Sequence, residues 1–482
     1  MRPRRTTSPL HRVWLSRTLC VFVACLVLYG VTAGVSLGRH SLAPHFIYLA
    51  ESLLRGRLDL IHVPAPPYDL TGFEGRWYVS FPPLPALLML PAVAIRGLDV
   101  SDIAFSVVLG ALGVSLFYAV LVRQEAGGWG GCSQPSARVW LCVLLGLGTP
   151  LWYCAALGSV WYTAHVAAVV CLCLYAREVM GRNRPALAGF WLGMGFLARA
   201  PVLLAFPLSV VPGLRSARGR RETVRFLLSF ALGVAPALLG QMAYNWARFD
   251  HPLEFGYRWM NSPGMLLERQ ATWGQFSLHF LPENLYTLLI RPPLVSFHPI
   301  RVEPDPWGMG LLFTCPALLL ALPWEGVARS LRRFSARARE YHGGEKYTMK
   351  SCPPEVHAAP PELSCTGKSE RGCSRSQTAE ARALRLGLLL SIALVMLPSL
   401  LYFNTGSYQF GYRFALDWIP LGALWIALKA GSRLPWWGRV LVVAGVLTHL
   451  WGVLWMYPNF NGQPWYAQYA HLLQPLVGMI GR

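Results

Sequence analysis

The stretch from Ile103 to Val122 reads IAFSVVLGALGVSLFYAVLV, twenty residues without one charge. A helix of that length rises about 30 Å, the thickness of a bilayer's hydrocarbon core. Windows of the same kind recur on both sides of it: Trp14–Leu37, Val139–Ala156, Trp161–Tyr175, Phe226–Ala247, Trp307–Pro323, Leu386–Phe403, Phe414–Leu428 and Val440–Trp455. Another, Ala186–Val211, is interrupted by Arg199 and Pro201 and makes one kinked span or two short ones. The expected fold is all-α, a polytopic membrane helical bundle of about ten or eleven spans. Composition agrees: 54% of the 482 residues are hydrophobic and 14% charged, against roughly 25% charged in soluble proteins. The shorter Phe81–Ile95, with four prolines, reads as a juxtamembrane or re-entrant element.

Arginine and lysine set the orientation. Arg2, Arg4, Arg5, Arg12 and Arg17 put the N-terminus, residues 1–13, in the cytoplasm of a multi-pass cell-membrane protein. Two passes through Ala186–Val211 keep Arg182, Arg184 and the cluster Arg215, Arg218, Arg220, Arg221 and Arg225 on that same side, so two are preferred. The expected organisation is a first span at 14–37, an outer loop at 38–101, a transmembrane bundle at 102–249, a second outer loop at 250–306 and a span at 307–323. A basic, disordered cytoplasmic linker at 324–385, more spans at 386–456 and an outer tail at 457–482 follow. The net charge of +20 thus expresses topology, not nucleic-acid binding. The N-terminal apolar run is longer than a signal-peptide core and reads as a retained anchor. None of the eleven cysteines lies in either outer loop, so no outer disulfide framework is expected. Cys352, Cys365 and Cys373 lie near His342 and His357, but at no usual zinc spacing.

The outer loop 38–101 carries most of the candidate chemistry. Residues from Pro44 to Gly56 pattern as a short amphipathic helix with Phe46, Leu49, Ala50 and Leu53 on one face and Gly56 as its cap. Phe73 to Val79 reads as a hairpin turning at Glu74-Gly75. Among its side chains the loop presents the carboxylates Glu51, Asp59, Asp69 and Glu74, together with His45, Arg76, Trp77 and Tyr78. Carboxylates beside aromatic rings suit sugars; the bland alternative is interface anchors and solvated acids.

Taken in order, four stretches are similar to the GT-C-fold membrane glycosyltransferases, in particular their bacterial family 39-like branch. They are His45 through Leu58, Gly75 through Ala86, Gly193 through Pro201, and Phe410 through Pro420. The resemblance implies transfer of a sugar from a polyprenyl-phosphate carrier to an acceptor on the outer face. An outer-loop acid would be the general base, basic residues would hold the carrier phosphate, and membrane lipid would be a standing partner. Some relatives use a divalent metal, which this sequence does not indicate. The family's acid just after the first span is absent: His40 to His45 contains no carboxylate. The base then falls to Asp69, Glu51, Asp59 or Glu74, with Asp69, in its proline-fixed turn, preferred.

Arg199, Arg258 and Arg413 are phosphate candidates, with Arg291 and His298 weaker. Arg199 is a buried charge or a hairpin tip at the surface. Arg413 with Asp417, and Arg258 with Glu254, have i,i+4 spacing that a plain ion pair would explain. No phosphate loop, HExxH pair or GxSxG elbow is present. A transporter or flippase, or an inactive scaffold of GT-C type, are the alternative readings.

Overall fold

The structure, a computed structural model, describes residues 9–322 and 368–461. Cys352, Cys365, His342 and His357, most of the expected linker and the tail beyond Asn461 lie outside the described residues. The chain is mostly helical. Among the described residues six helices are long and apolar enough to cross a membrane, or seven if the pair α5 (Pro135–Leu147) and α6 (Leu151–Leu157), bent by 55°, is one span. The six are Leu15–Gly38, Asp102–Ala126, Val160–Val179, Arg220–Phe249, Ala379–Leu401 and Trp436–Pro458. The other expected crossings fall on shorter pieces. Trp307–Pro323 is broken by Pro316 into a turn of α-helix, Leu311–Thr314, and a 3₁₀ segment, Pro316–Ala321. Phe414–Leu428 divides into a 3₁₀ turn, Arg413–Asp417, and a helix, Ile419–Lys429, that opens on Pro420. The expected linker is shorter than drawn, because a helix already runs from Lys368 to Leu401.

Asp102–Ala126 (α4) and Val160–Val179 (α7) form the centre and bury most of their residues. The peripheral helices expose apolar stripes: Leu15, Leu19, Val23, Val27 and Val31 repeat every four residues along α1, Pro9–Ala33. Such a surface matches lipid. Helices meet through small residues, as membrane packing favours. Between α8 (Pro185–Ala198) and α10 (Arg220–Phe249), a Cβ on Gly189 would run into the Phe230 carbonyl, and one on Gly233 into the Ala186 carbonyl.

Ala186–Val211 is a helical hairpin. Helix α8 ends at Ala198, because the residue before Pro201 resists the α conformation. A 3₁₀ segment, Ala200–Ala205, and α9, Pro207–Ser216, lead the chain back. The far ends of the two legs are tied where Ser209 Oγ donates to Asn183 Oδ1 at 2.6 Å. Its tip, Arg199, reaches the other end of the bundle.

At that end the short helix α2, His45–Leu54, buries Phe46, Leu49 and Ala50. The hairpin β1 (Leu70–Phe73) and β2 (Arg76–Val79) turns on Glu74 and Gly75, both at positive φ, a turn that matches strand twist. Phe81–Ile95 contributes a helix, α3, over Leu84–Arg96, with Pro91 inside it. A second hairpin, β3 (Leu294–Phe297) and β4 (Ile300–Glu303), lies in the second loop. The two hairpins are small additions to an otherwise all-α architecture.

Candidate functional site

The two long loops are stitched together beside Asp69. The Asp69 N–H donates to Asn261 O at 3.0 Å, and Asn261 N–H donates back to Leu70 O at 2.8 Å. The Thr71 hydroxyl donates to Gly256 O. Gly256 has φ +86, and a Cβ there would meet the Phe249 ring and Thr71, so glycine fits this junction. Asp69 itself has φ 53, a conformation aspartate tolerates in turns. Its carboxylate accepts from the Trp161 indole N–H at 2.7 Å and, more loosely, from the Ser262 hydroxyl at 3.4 Å. Burial raises the Asp69 pKa, opposed by the Trp161 bond, the Arg413 charge and the Ser262 bond.

Asp69 lines a cavity of about 590 Å³ at this end of the bundle, a size suited to a small ligand. Arg199, His165, Arg413, Glu254, Tyr257 and Tyr402 line it too, with apolar residues such as Leu203, Leu204 and Met260. The α-helical backbone is broken where the chain borders the cavity, at Arg199 and at the 3₁₀ turn of Arg413, which is where a membrane protein tolerates such backbone.

Asp417 organises one wall. It accepts from Arg199 Nη2 at 3.1 Å and is 2.8 Å from His165 Nδ1. The expected Arg413–Asp417 pair is not made: these residues form a 3₁₀ turn, whose geometry lacks the α-helical i,i+4 register. Arg199 is thus both a hairpin tip and a partly buried, paired charge. His165 Nε2 has no hydrogen-bond partner among the described residues.

Arg413 stands apart. Its Nη1 donates to Ser407 O at 2.7 Å, and its N–H to Gln409 Oε1. The fully buried Gln409 side chain also donates to the Trp307, Thr405 and Gly406 carbonyls, which fixes this loop. Among the described residues no carboxylate lies within ion-pair distance of Arg413, and its Nε has no partner.

The other sequence candidates lie elsewhere. Glu51 is paired with Arg55 at 2.7 Å and with His62 at 2.6 Å. Asp59 is paired with Arg57, whose hydrogen bond holds its pKa below the ordinary range. Glu74 and Arg76 are exposed at the hairpin tip. Tyr78 packs on Phe249, and Trp77 is half-buried. Arg258 makes the expected pair with Glu254 at 2.9 Å, with 68% of its side chain exposed. His45 is buried, bonded to Tyr68 O, with its pKa pushed down to about 4 by burial. Of the sequence candidates, only Asp69, Arg199 and Arg413 line the cavity. The stretch after the first span does meet a carboxylate in space: Asp102 accepts from the Ser41 backbone and hydroxyl and from Ser159 N–H, so its oxygens are occupied.

Sequence reasoning missed Trp161 and His165. Their i,i+4 spacing on an apolar helix, with an ionisable residue inside a span, was the available signal. Among the described residues no three metal-ligating side chains converge; Asp417 is held by Arg199 and His165, and Glu254 by Arg258 and Gly256 N–H. No family model, curated protein or solved structure matches the chain.

Proposed function

We propose that this protein is a membrane glycosyltransferase that moves a sugar from a polyprenyl-phosphate carrier to an acceptor hydroxyl, with the N-terminus in the cytoplasm and the cavity on the outer face of the cell membrane. The reading is supported chiefly by one observation: a carboxylate of raised pKa, Asp69, and an arginine without a carboxylate partner among the described residues, Arg413, line the same cavity. In the proposed step the acceptor O–H gives its proton to Asp69. The oxygen bonds to the anomeric carbon as the carbon–oxygen bond to the carrier phosphate breaks, and the phosphate leaves with the electron pair. A placed base contributes about 10²–10⁴ in rate, and more when its pKa approaches the working pH. Arg413, able to bond phosphate oxygens through two N–H groups, holds the departing phosphate. Arg199, already neutralised by Asp417, shapes the wall.

Backbone breaks at Arg199 and Arg413 favour a second reading, a transporter, since discontinuous helices build transporter sites. Purified protein in vesicles with labelled polyprenyl-phosphate sugars separates the two. Transfer to an acceptor, lost in Asp69→Asn, supports the proposal. Movement of label across the bilayer without a new glycosidic bond supports the transporter.

A further inference from the structure

The β3–β4 hairpin pairs Val295 with Val302 and Phe297 with Ile300. Side chains alternate across a strand, so these four share one face, while Leu294, Ser296, Arg301 and Glu303 share the other. One face is wholly apolar, and both charges lie on its opposite. Nothing among the described residues covers the apolar face: Phe297 is 71% exposed, Ile300 77%, Val295 49% and Val302 51%.

The base of the hairpin is held to the bundle. Arg291 Nε donates to Asp305 Oδ2 at 2.7 Å across the hairpin's two ends, and Gly310 N–H donates to Arg291 O at 2.8 Å. The base sits by a small pocket lined by Arg269, Arg291 and Trp307, which shares Asn404 with the main cavity. The hairpin therefore belongs to the cavity end of the molecule. Leu289 and Ile290 just before it, and Leu312 and Phe313 just after it, are exposed apolar residues at the start of lipid-matched surface. In the chain the apolar face lies between these two exposed apolar stretches.

We propose that the Val295, Phe297, Ile300 and Val302 face inserts into the bilayer leaflet at the cavity end, with Arg301 and Glu303 left in the headgroup layer. The occupant is lipid because the face is flanked in the chain by exposed apolar residues on both sides, and because its charge separation matches an interfacial element, apolar side down and charged side up. The hairpin would then fix the height of the second loop, and with it the cavity mouth, against the membrane. This proposal does not depend on the transferase reading.

The test places a fluorescent non-natural amino acid at position 297 or 300, and at 296 or 301 as opposite-face controls, in the full chain reconstituted in phosphatidylcholine vesicles. Doxyl groups on the lipid chains and aqueous iodide are the two quenchers. The expected result is strong doxyl quenching and weak iodide quenching at 297 and 300, with the reverse at 296 and 301. Iodide quenching at 297 and 300 as strong as at the controls would overturn the proposal in favour of a hairpin standing in water. Protection of 297 and 300 from both quenchers would overturn it in favour of cover by protein.

Discussion

Asp417→Asn removes one charge and almost no volume. In the native structure Asp417, 2% exposed, faces Arg199, whose side chain is 15% exposed, and His165 at 2.8 Å. Asparagine keeps a hydrogen-bonding oxygen but leaves the Arg199 charge without a counter-charge. Breaking a buried pair from one side costs about 3–5 kcal/mol. Arg199 borders the cavity and retains some solvent, so the low end, about 3 kcal/mol, applies. At about 2.1 cal/mol/K of unfolding entropy per residue, 482 residues convert that to a Tm lowered by about 3 °C. Tryptophan fluorescence of the detergent-solubilised protein during heating reads the shift. The double variant Asp417→Asn with Arg199→Met removes both charges and is expected to regain part of the loss, because the orphaned charge is gone. Asp417→Asn unfolding within about 0.5 °C of wild type, or strictly additive losses in the double variant, would refute the buried pair.

Other perturbations probe separate parts. Gly233→Ala drives a methyl into the Ala186 carbonyl and is expected to destabilise by about 1–3 kcal/mol. Gly240→Ala, on the same helix with open space around it, is expected to be neutral or to stabilise by up to about 1 kcal/mol; thermal unfolding compares the two. Since a base must be ionised and the Asp69 pKa is raised, turnover is expected to fall on acidification above the ordinary carboxylate range. Arg413→Gln removes a charge that lowers this pKa, so it moves that limb to higher pH, and a pH–rate profile reads the displacement. His45 has its pKa lowered from 6.5 to about 4, so its neutral form stabilises the fold fully above pH 6.5. That contribution, at most about 3 kcal/mol, is lost as pH falls towards 4. Unfolding midpoints against pH are expected to slope less over this window in His45→Gln.

Local features were legible because their causes are local. The Glu74-Gly75 turn, the His45–Leu54 helix, the Arg258–Glu254 pair and the break before Pro201 each rest on residues a few positions apart. The neutralisation of Glu51 by Arg55, and of Asp59 by Arg57, was readable on the same grounds. The partners of Asp417 were not. Arg199 lies 218 positions away and His165 lies 252, and apolar spans that resemble one another carry no code for which end meets which. Apolar windows marked where the chain is buried or faces lipid, but not whether the backbone stays α-helical. Trp307–Pro323 and Phe414–Leu428 score as spans, yet Pro316 and the Arg413–Asp417 turn divide them. The second hairpin went unread because its strands are only four residues long and it turns at His298-Pro299, without the Asn-Gly or Asp-Gly pair that marks a hairpin in sequence.

The central claim assigns binding of the carrier phosphate to Arg413 and proton abstraction to Asp69, and a paired measurement of donor binding and turnover separates the two. Binding of a labelled polyprenyl-phosphate sugar and its transfer are followed in the same vesicles for wild type, Asp69→Asn and Arg413→Gln. The account predicts that Asp69→Asn binds donor like wild type but turns it over at least about 100-fold more slowly, while Arg413→Gln binds donor more weakly and still turns it over at saturating donor. Wild-type turnover by Asp69→Asn would contradict it.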